Sequence, residues 1–169
     1  DQNRDMRGEL LKIAAERYYS DMFFLRDLYH FKLEARDAGG ATAVVRQMMQ
    51  QHPDELEPLY YGLQLAIMSS QDSAYQKFRS TAISKKMPAH VILLLDLAFF
   101  LISGRRTDAE VMFEDMEKKL PALGYYLEVL DYLMQDIFSE DEKRSKTARK
   151  VFMDSIDQYC LKLIKMKED

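Results

Sequence analysis

The sequence predicts an all-α fold: an α-α superhelix of about three helix-turn-helix repeats, with further helices at both ends. Alanines at 41, 74 and 109 step by 33 and 35 residues, and prolines at 53, 88 and 121 step by 35 and 33. Each alanine is followed four positions later by an apolar residue, Val45, Phe78 or Phe113. The 169 residues include only 6 Gly and 4 Pro, too few breakers for a loop-rich or β-rich chain. A period of this length means that each hairpin buries its apolar face against the next.

The elements follow in order. Arg4 to Tyr19 carries Met6, Leu10, Ile13, Ala14 and Tyr18 on one helical stripe, and is expected to cap the first hairpin; a homodimer arm is the alternative use. Ser20 or Asp21 can open the next helix. Met22 to Ala38 is then expected to end at Ala38-Gly39-Gly40, with Ala41 to Gln51 returning. Pro53 and Pro58 bracket the start of a helix through Leu59 and Met68, Ser69 to Asp72 forms a turn, and Ser73 to Lys86 follows. Pro88 to Ser103 holds one charge, Asp96, between Val91 and Ile102. That run is too short to span a bilayer and reads as a central buried helix. Gly104 supplies a turn, Thr107 and Glu110 have capping-box spacing, and the helix runs to Lys119 with Ala109, Met112, Phe113 and Met116 on one face. Leu120 to Phe138 repeats the theme with Tyr125, Tyr126, Leu130, Leu133, Met134 and Ile137. Ser139 and Glu142 then suggest the cap of a terminal helix to Lys165, bearing Ala148, Phe152, Ile156, Tyr159 and Leu163.

The pattern Phe100-x3-Gly104-x4-Ala109-x3-Phe113 with Pro121 resembles the tetratricopeptide repeat, a 34-residue helical hairpin with an Ala-x3-Phe signature and a closing proline. The same template finds Gly62, Ala74, Phe78 and Pro88, then Ala41, Val45 and Pro53, and more weakly Ala148 and Phe152 after a longer connection. The chain departs from the family in having no tryptophan, and in offering Tyr29 and Leu97 where the middle repeat has the small residue Gly62. The expected organisation is a single domain over 1–169, with a capping helix at 1–20, repeats at 21–53, 54–88 and 89–121, and a divergent fourth hairpin with the C-terminal helix at 122–169.

Composition bounds the function. The net charge of −4 is spread among alternating signs, which disfavours nucleic acid as a partner. One cysteine, Cys160, excludes an intrachain disulfide, and the histidines His30, His52 and His90 have no second ligand at metal spacing in their own helices. No catalytic residue, cofactor or metal is assigned, and no membrane span is expected. Cytoplasmic placement is expected from cysteine usage. The alternative is a periplasmic or lipid-anchored protein after removal of an N-terminal signal, since the chain starts at Asp1.

In the family, the first helix of each hairpin lines a concave groove. The resemblance therefore implies a groove bearing Arg26, His30 and Leu33, then Leu59, Tyr60 and Leu63, then Leu94, Ala98 and Leu101. The positions of repeats two and three are aliphatic where clamp-type members carry charge, and only Arg26 and His30 at one end are polar, which suits an apolar peptide or amphipathic helix of another protein. The expected function is an adaptor or assembly scaffold. The alternatives are a chaperone shielding an apolar client segment, and the sensor domain of a larger regulator that binds a small ligand or signal peptide. The groove has one competitor: the protein's own first or last helix could fill it.

Overall fold

The computed structural model describes residues 2–18 and 21–168. Tyr19 and Ser20, assigned from sequence to a helix end and a helix start, lie outside the described residues. Within them the chain is all-α, a repeat of helices that pack on their neighbours. The helices are α1 (Gln2–Arg17), α2 (Met22–Glu34), α3 (Ala38–Gln51), α4 (Glu57–Met68), α5 (Asp72–Ser84), α6 (Ala89–Ile102) and α7 (Arg106–Lys119). A 3-10 turn at Pro121–Leu123 leads into α8 (Gly124–Ile137), and α9 (Glu142–Glu168) completes the chain.

The repeat is sharpest at the hairpin turns. The leading helices end at 34, 68 and 102 and their partners begin at 38, 72 and 106, two steps of 34 residues in each series. Each turn is made by one residue in the left-handed region: Arg36 (φ 57°), Ser70 (φ 51°) and Gly104 (φ 74°). After α2 the Arg36 N–H donates to Leu33 O and the Asp37 N–H to Lys32 O. After α6 the Gly104 N–H donates to Leu101 O and the Arg105 N–H to Phe100 O. This paired arrangement satisfies the last helical carbonyls and closes a helix sharply. The α8–α9 connection is longer and uses no left-handed residue.

Three boundaries differ from the sequence expectation, two of them through the placement of an aspartate. Ala38-Gly39-Gly40 does not end α2 but forms the first turn of α3, because the Asp37 carboxylate accepts the Gly40 N–H at 2.8 Å. At α9 the cap is Asp141, whose Oδ1 accepts from the Lys143 and Arg144 N–H groups at 3.1 and 3.2 Å. Ser139 instead accepts the Asp141 N–H. Thr107 caps nothing: α7 begins at Arg106, and Glu110 pairs with the Arg106 guanidinium at 2.9 Å.

Where one domain over 1–169 is expected, α1–α5 form one compact unit and α6–α9 a second. In the first, α1 packs on α2, α2 on α3 and α3 on α4. Phe78 of α5 lies against Gly62 of α4 so closely that an added Cβ would stand 2.8 Å from the ring. In the second, α6 packs against α7 and α9, and α9 also lies along α8. Leu94, Leu95, Leu97 and Ala98 of α6 are fully buried, so this helix is apolar on every face for a physical reason. The repeat alanines Ala41 and Ala109 are buried, as is Ala148, followed on the same faces by Val45, Phe113 and Phe152. In the middle hairpin, by contrast, Ala74 and Phe78 are only half-buried and α5 buries Tyr75 and Ala82 instead.

Candidate functional site

The most organised polar chemistry in the first unit lies between α2 and α4. Arg26 grips Glu57 with two bonds, Nε to Oε1 at 2.5 Å and Nη2 to Oε2 at 2.9 Å. The Tyr61 hydroxyl donates to Glu57 Oε1 at 2.7 Å. One turn further along α2, the Tyr29 hydroxyl donates to Gln64 Oε1 at 2.6 Å. His30 closes the cluster with its ring edge-on to Tyr61, at 5.8 Å between centroids. Burial pushes the Glu57 carboxyl up, but the bonds from Arg26 and Tyr61 outweigh it and hold the group below its ordinary range. The same bond to Glu57 raises the guanidinium pKa, and burial with the neighbouring carboxylate raises the Tyr61 phenol. His30 keeps part of its surface in solvent, yet burial of the ring side that meets the tyrosines lowers its imidazole pKa.

This geometry redistributes the residues expected to line a groove. Arg26, His30 and Leu33 do reach the surface of the first unit. Arg26, however, spends its fork on Glu57 and cannot present the same two donors to a partner's carboxylate. Leu59, Tyr60 and Leu63 are at most 1 % exposed, and Leu94, Ala98 and Leu101 at most 2 %. These six are core residues and offer no surface to a ligand. For the last three the sequence named the reason as an alternative: the C-terminal helix α9 packs against α6, the helix that carries them.

The apolar side chains left in solvent lie elsewhere. On α1 the stripe Met6, Leu10 and Ile13 is 58, 64 and 57 % exposed. The opposite side of α1 meets α2, where Gly8 sits so close to Phe31 that an added Cβ would be 2.5 Å from its ring. The first helix therefore packs by Gly8 and leaves outward Met6, Leu10 and Ile13 of the stripe that the sequence assigns to capping, while Ala14 is half-buried and Tyr18 stacks on Phe24 at 5.1 Å. On α8, Tyr125 and Tyr132 are 82 and 72 % exposed with Val129 between them, while Leu127, Leu130, Met134 and Ile137 are buried. Tyr125 was expected to face inward. The missed signal is that α8 carries two apolar stripes, one at 127, 130, 134 and 137 and one at 125, 129 and 132, and one helix face cannot bury both.

Other chemistry is sparse. Cys160 is buried, beside the stacked rings of Tyr126 and Tyr159. Burial lifts the Tyr126 phenol to about 12. Among the described residues no group of three or more His, Cys, Asp or Glu side chains is arranged to hold a metal, and no helix is long and apolar enough to cross a membrane. No protein-family profile matches the chain, and neither a curated protein nor a solved structure matches it significantly. What the coordinates establish is an all-α repeat of helical hairpins that leaves two apolar stripes in water.

Proposed function

We propose that this chain is a non-enzymatic protein-interaction module of the tetratricopeptide-like kind, holding a peptide or amphipathic helix of another protein as adaptor or assembly scaffold. The 34-residue recurrence of the hairpin turns at Arg36, Ser70 and Gly104 supports the family resemblance. The observation that carries the binding reading is the pair of solvent-exposed stripes, Met6-Leu10-Ile13 on α1 and Tyr125-Val129-Tyr132 on α8. Both have the three- and four-residue spacing of helix-recognition anchors. Apolar side chains in such rows are costly to leave in water unless a partner covers them.

The surface assignment differs from an aliphatic groove. Contacts come from the outward faces of α1 and α8, and Arg26 with His30 forms a fixed polar patch beside α4 rather than a clamp. Site-specific photo-cross-linking in the native cells tests this. A photoreactive residue at Leu10 or Tyr132 should yield a discrete adduct with another protein, and one at the exposed Lys118 should not. No adduct from either stripe would overturn the reading.

A further inference from the structure

The outward face of α8 has a charge as well as a shape. The helix contains Glu128, Asp131 and Asp136 and not one lysine, arginine or histidine. Asp136 is neutralised from α9 by Arg144 at 3.0 Å. Glu128 and Asp131 make no ion pair among the described residues, and Glu128 is exposed in the same face as Tyr125, Val129 and Tyr132. Two tyrosines and a valine have the exposed Glu128 and the half-buried Asp131 on one flank, with the Asp136–Arg144 pair one turn beyond Tyr132. The two carboxylates left without an ion pair on that flank favour a basic partner over an acidic one. Arginine and lysine have a further match in the exposed tyrosine rings, whose faces accept cations.

We infer that α8 docks a basic amphipathic segment of a partner protein, a helix whose apolar residues meet Tyr125, Val129 and Tyr132 and whose lysines or arginines meet Glu128 and Asp131. This rests on the interaction-module reading and specifies the partner's chemistry at one of its two stripes. The anchors are the tyrosines, since large aromatic side chains dominate interface energetics while the rim charges set preference and association rate.

The test uses the full chain and two designed helical peptides with leucines at i, i+4 and i+7, one with lysines at the remaining positions and one with glutamates. Fluorescence anisotropy at low salt should show the lysine peptide binding at least about tenfold more tightly, and the gap should narrow as salt screens the charges. Tyr125→Ala and Tyr132→Ala should each weaken it about fivefold or more. Glu128→Lys should remove the preference, whereas Asp54→Lys, which makes the same change in net charge on a turn of the other unit, should leave it. All four positions are exposed, so circular dichroism should be unchanged. Equal affinity for the two peptides, tyrosine variants that bind as the wild type does, or equal effects of Glu128→Lys and Asp54→Lys would overturn the inference. Self-association in sedimentation that Tyr132→Ala abolishes would overturn it too, since the occupant would then be a second copy. Should cross-linking succeed at Leu10 while the α8 variants have no effect, the module reading survives and this inference alone falls.

Discussion

α4 and α6 hold corresponding places, each the leading helix of a hairpin and each largely buried, yet they are fixed by different physics. α4 buries Leu59, Tyr60, Leu63 and Ile67 and adds directional bonds: Glu57 takes the Arg26 fork and the Tyr61 hydroxyl, and Gln64 takes the Tyr29 hydroxyl. α6 presents Leu94, Leu95, Leu97, Ala98 and Phe99 as a nearly dry surface, with α7 and α9 packed against it. Dispersion and burial stabilise both helices, but they tolerate small shifts. The hydrogen bonds of α4 add a defined register against α2. The difference is one of direction rather than burial: the first unit fixes α2 against α4 through Arg26 and Tyr29, and the second packs α9 over α6.

The largest effect should come from α6. Leu94→Ala removes a fully buried side chain from a site enclosed on every face, and should cost about 3 kcal/mol as a shift in the urea midpoint without a change in slope. A loss under about 1 kcal/mol would mean that α6 is not the core of its unit. At the α4–α5 contact, Gly62→Ala should cost about 1–2 kcal/mol, because the new methyl meets the Phe78 ring at 2.8 Å. Phe78 is only half-buried and can move aside, which keeps the value low. The double change Gly62→Ala with Phe78→Leu should recover most of the loss, and no recovery would place the strain elsewhere.

The polar cluster should respond to pH where α6 does not. Glu57 titrates below its ordinary value of 4.5 in the folded chain, so its stabilisation is fully present above that value and fades as pH falls through the folded pKa. Glu57→Gln keeps an acceptor but loses the charge, and should cost about 1 kcal/mol at pH 7. The cost is modest because the Arg26 side chain is 40 % exposed and regains water. The difference between wild type and Glu57→Gln should shrink below pH 4.5 as the wild-type carboxyl protonates. A constant difference across that range would show that the pair is worth nothing as an ion pair.

The sequence carries the periodic part of this fold well and the relational part poorly. Ala41 and Ala109, two repeats apart, can be read because hairpin packing repeats the same small residue at a fixed period, although Ala74 between them is only half-buried and Ala148 follows after a longer interval. The Gly62 contact with Phe78 follows from the same template. The α9–α6 contact could be named only as one of two alternatives, cover by the first helix or by the last, since no local pattern says which of several apolar faces a 27-residue helix will cover. That contact is what turns Leu94, Ala98 and Leu101 from expected lining into core. The Arg26–Glu57 pair joins residues 31 positions apart, and charges at that separation have no signature in one sequence. The α8 face could have been found, because Tyr125, Val129 and Tyr132 stand off the stripe that ends in Ile137. The burial of Tyr60 and Tyr61 against the exposure of Tyr125 and Tyr132 depends on neighbours alone.

The smallest effects sit at the turns, and their signs separate the first three hairpins from the fourth. Arg36 adopts φ 57°, where a side chain is strained and glycine is not, so Arg36→Gly should stabilise the chain by about 0.5–1 kcal/mol. At the equivalent point two repeats on, Gly104→Ala should destabilise it by about 1 kcal/mol although nothing lies within 4 Å of the added Cβ, since the backbone alone opposes it at φ 74°. Phe138, which begins the fourth connection, has φ −92°, so Phe138→Gly gains no such relief. It loses the ring that Arg106 covers at 5.1 Å and should destabilise. Thermal melts of the three variants would show gain, loss and loss. A gain for Phe138→Gly would mean that the α8–α9 connection shares the left-handed turn of the others and that the fourth hairpin is a regular repeat.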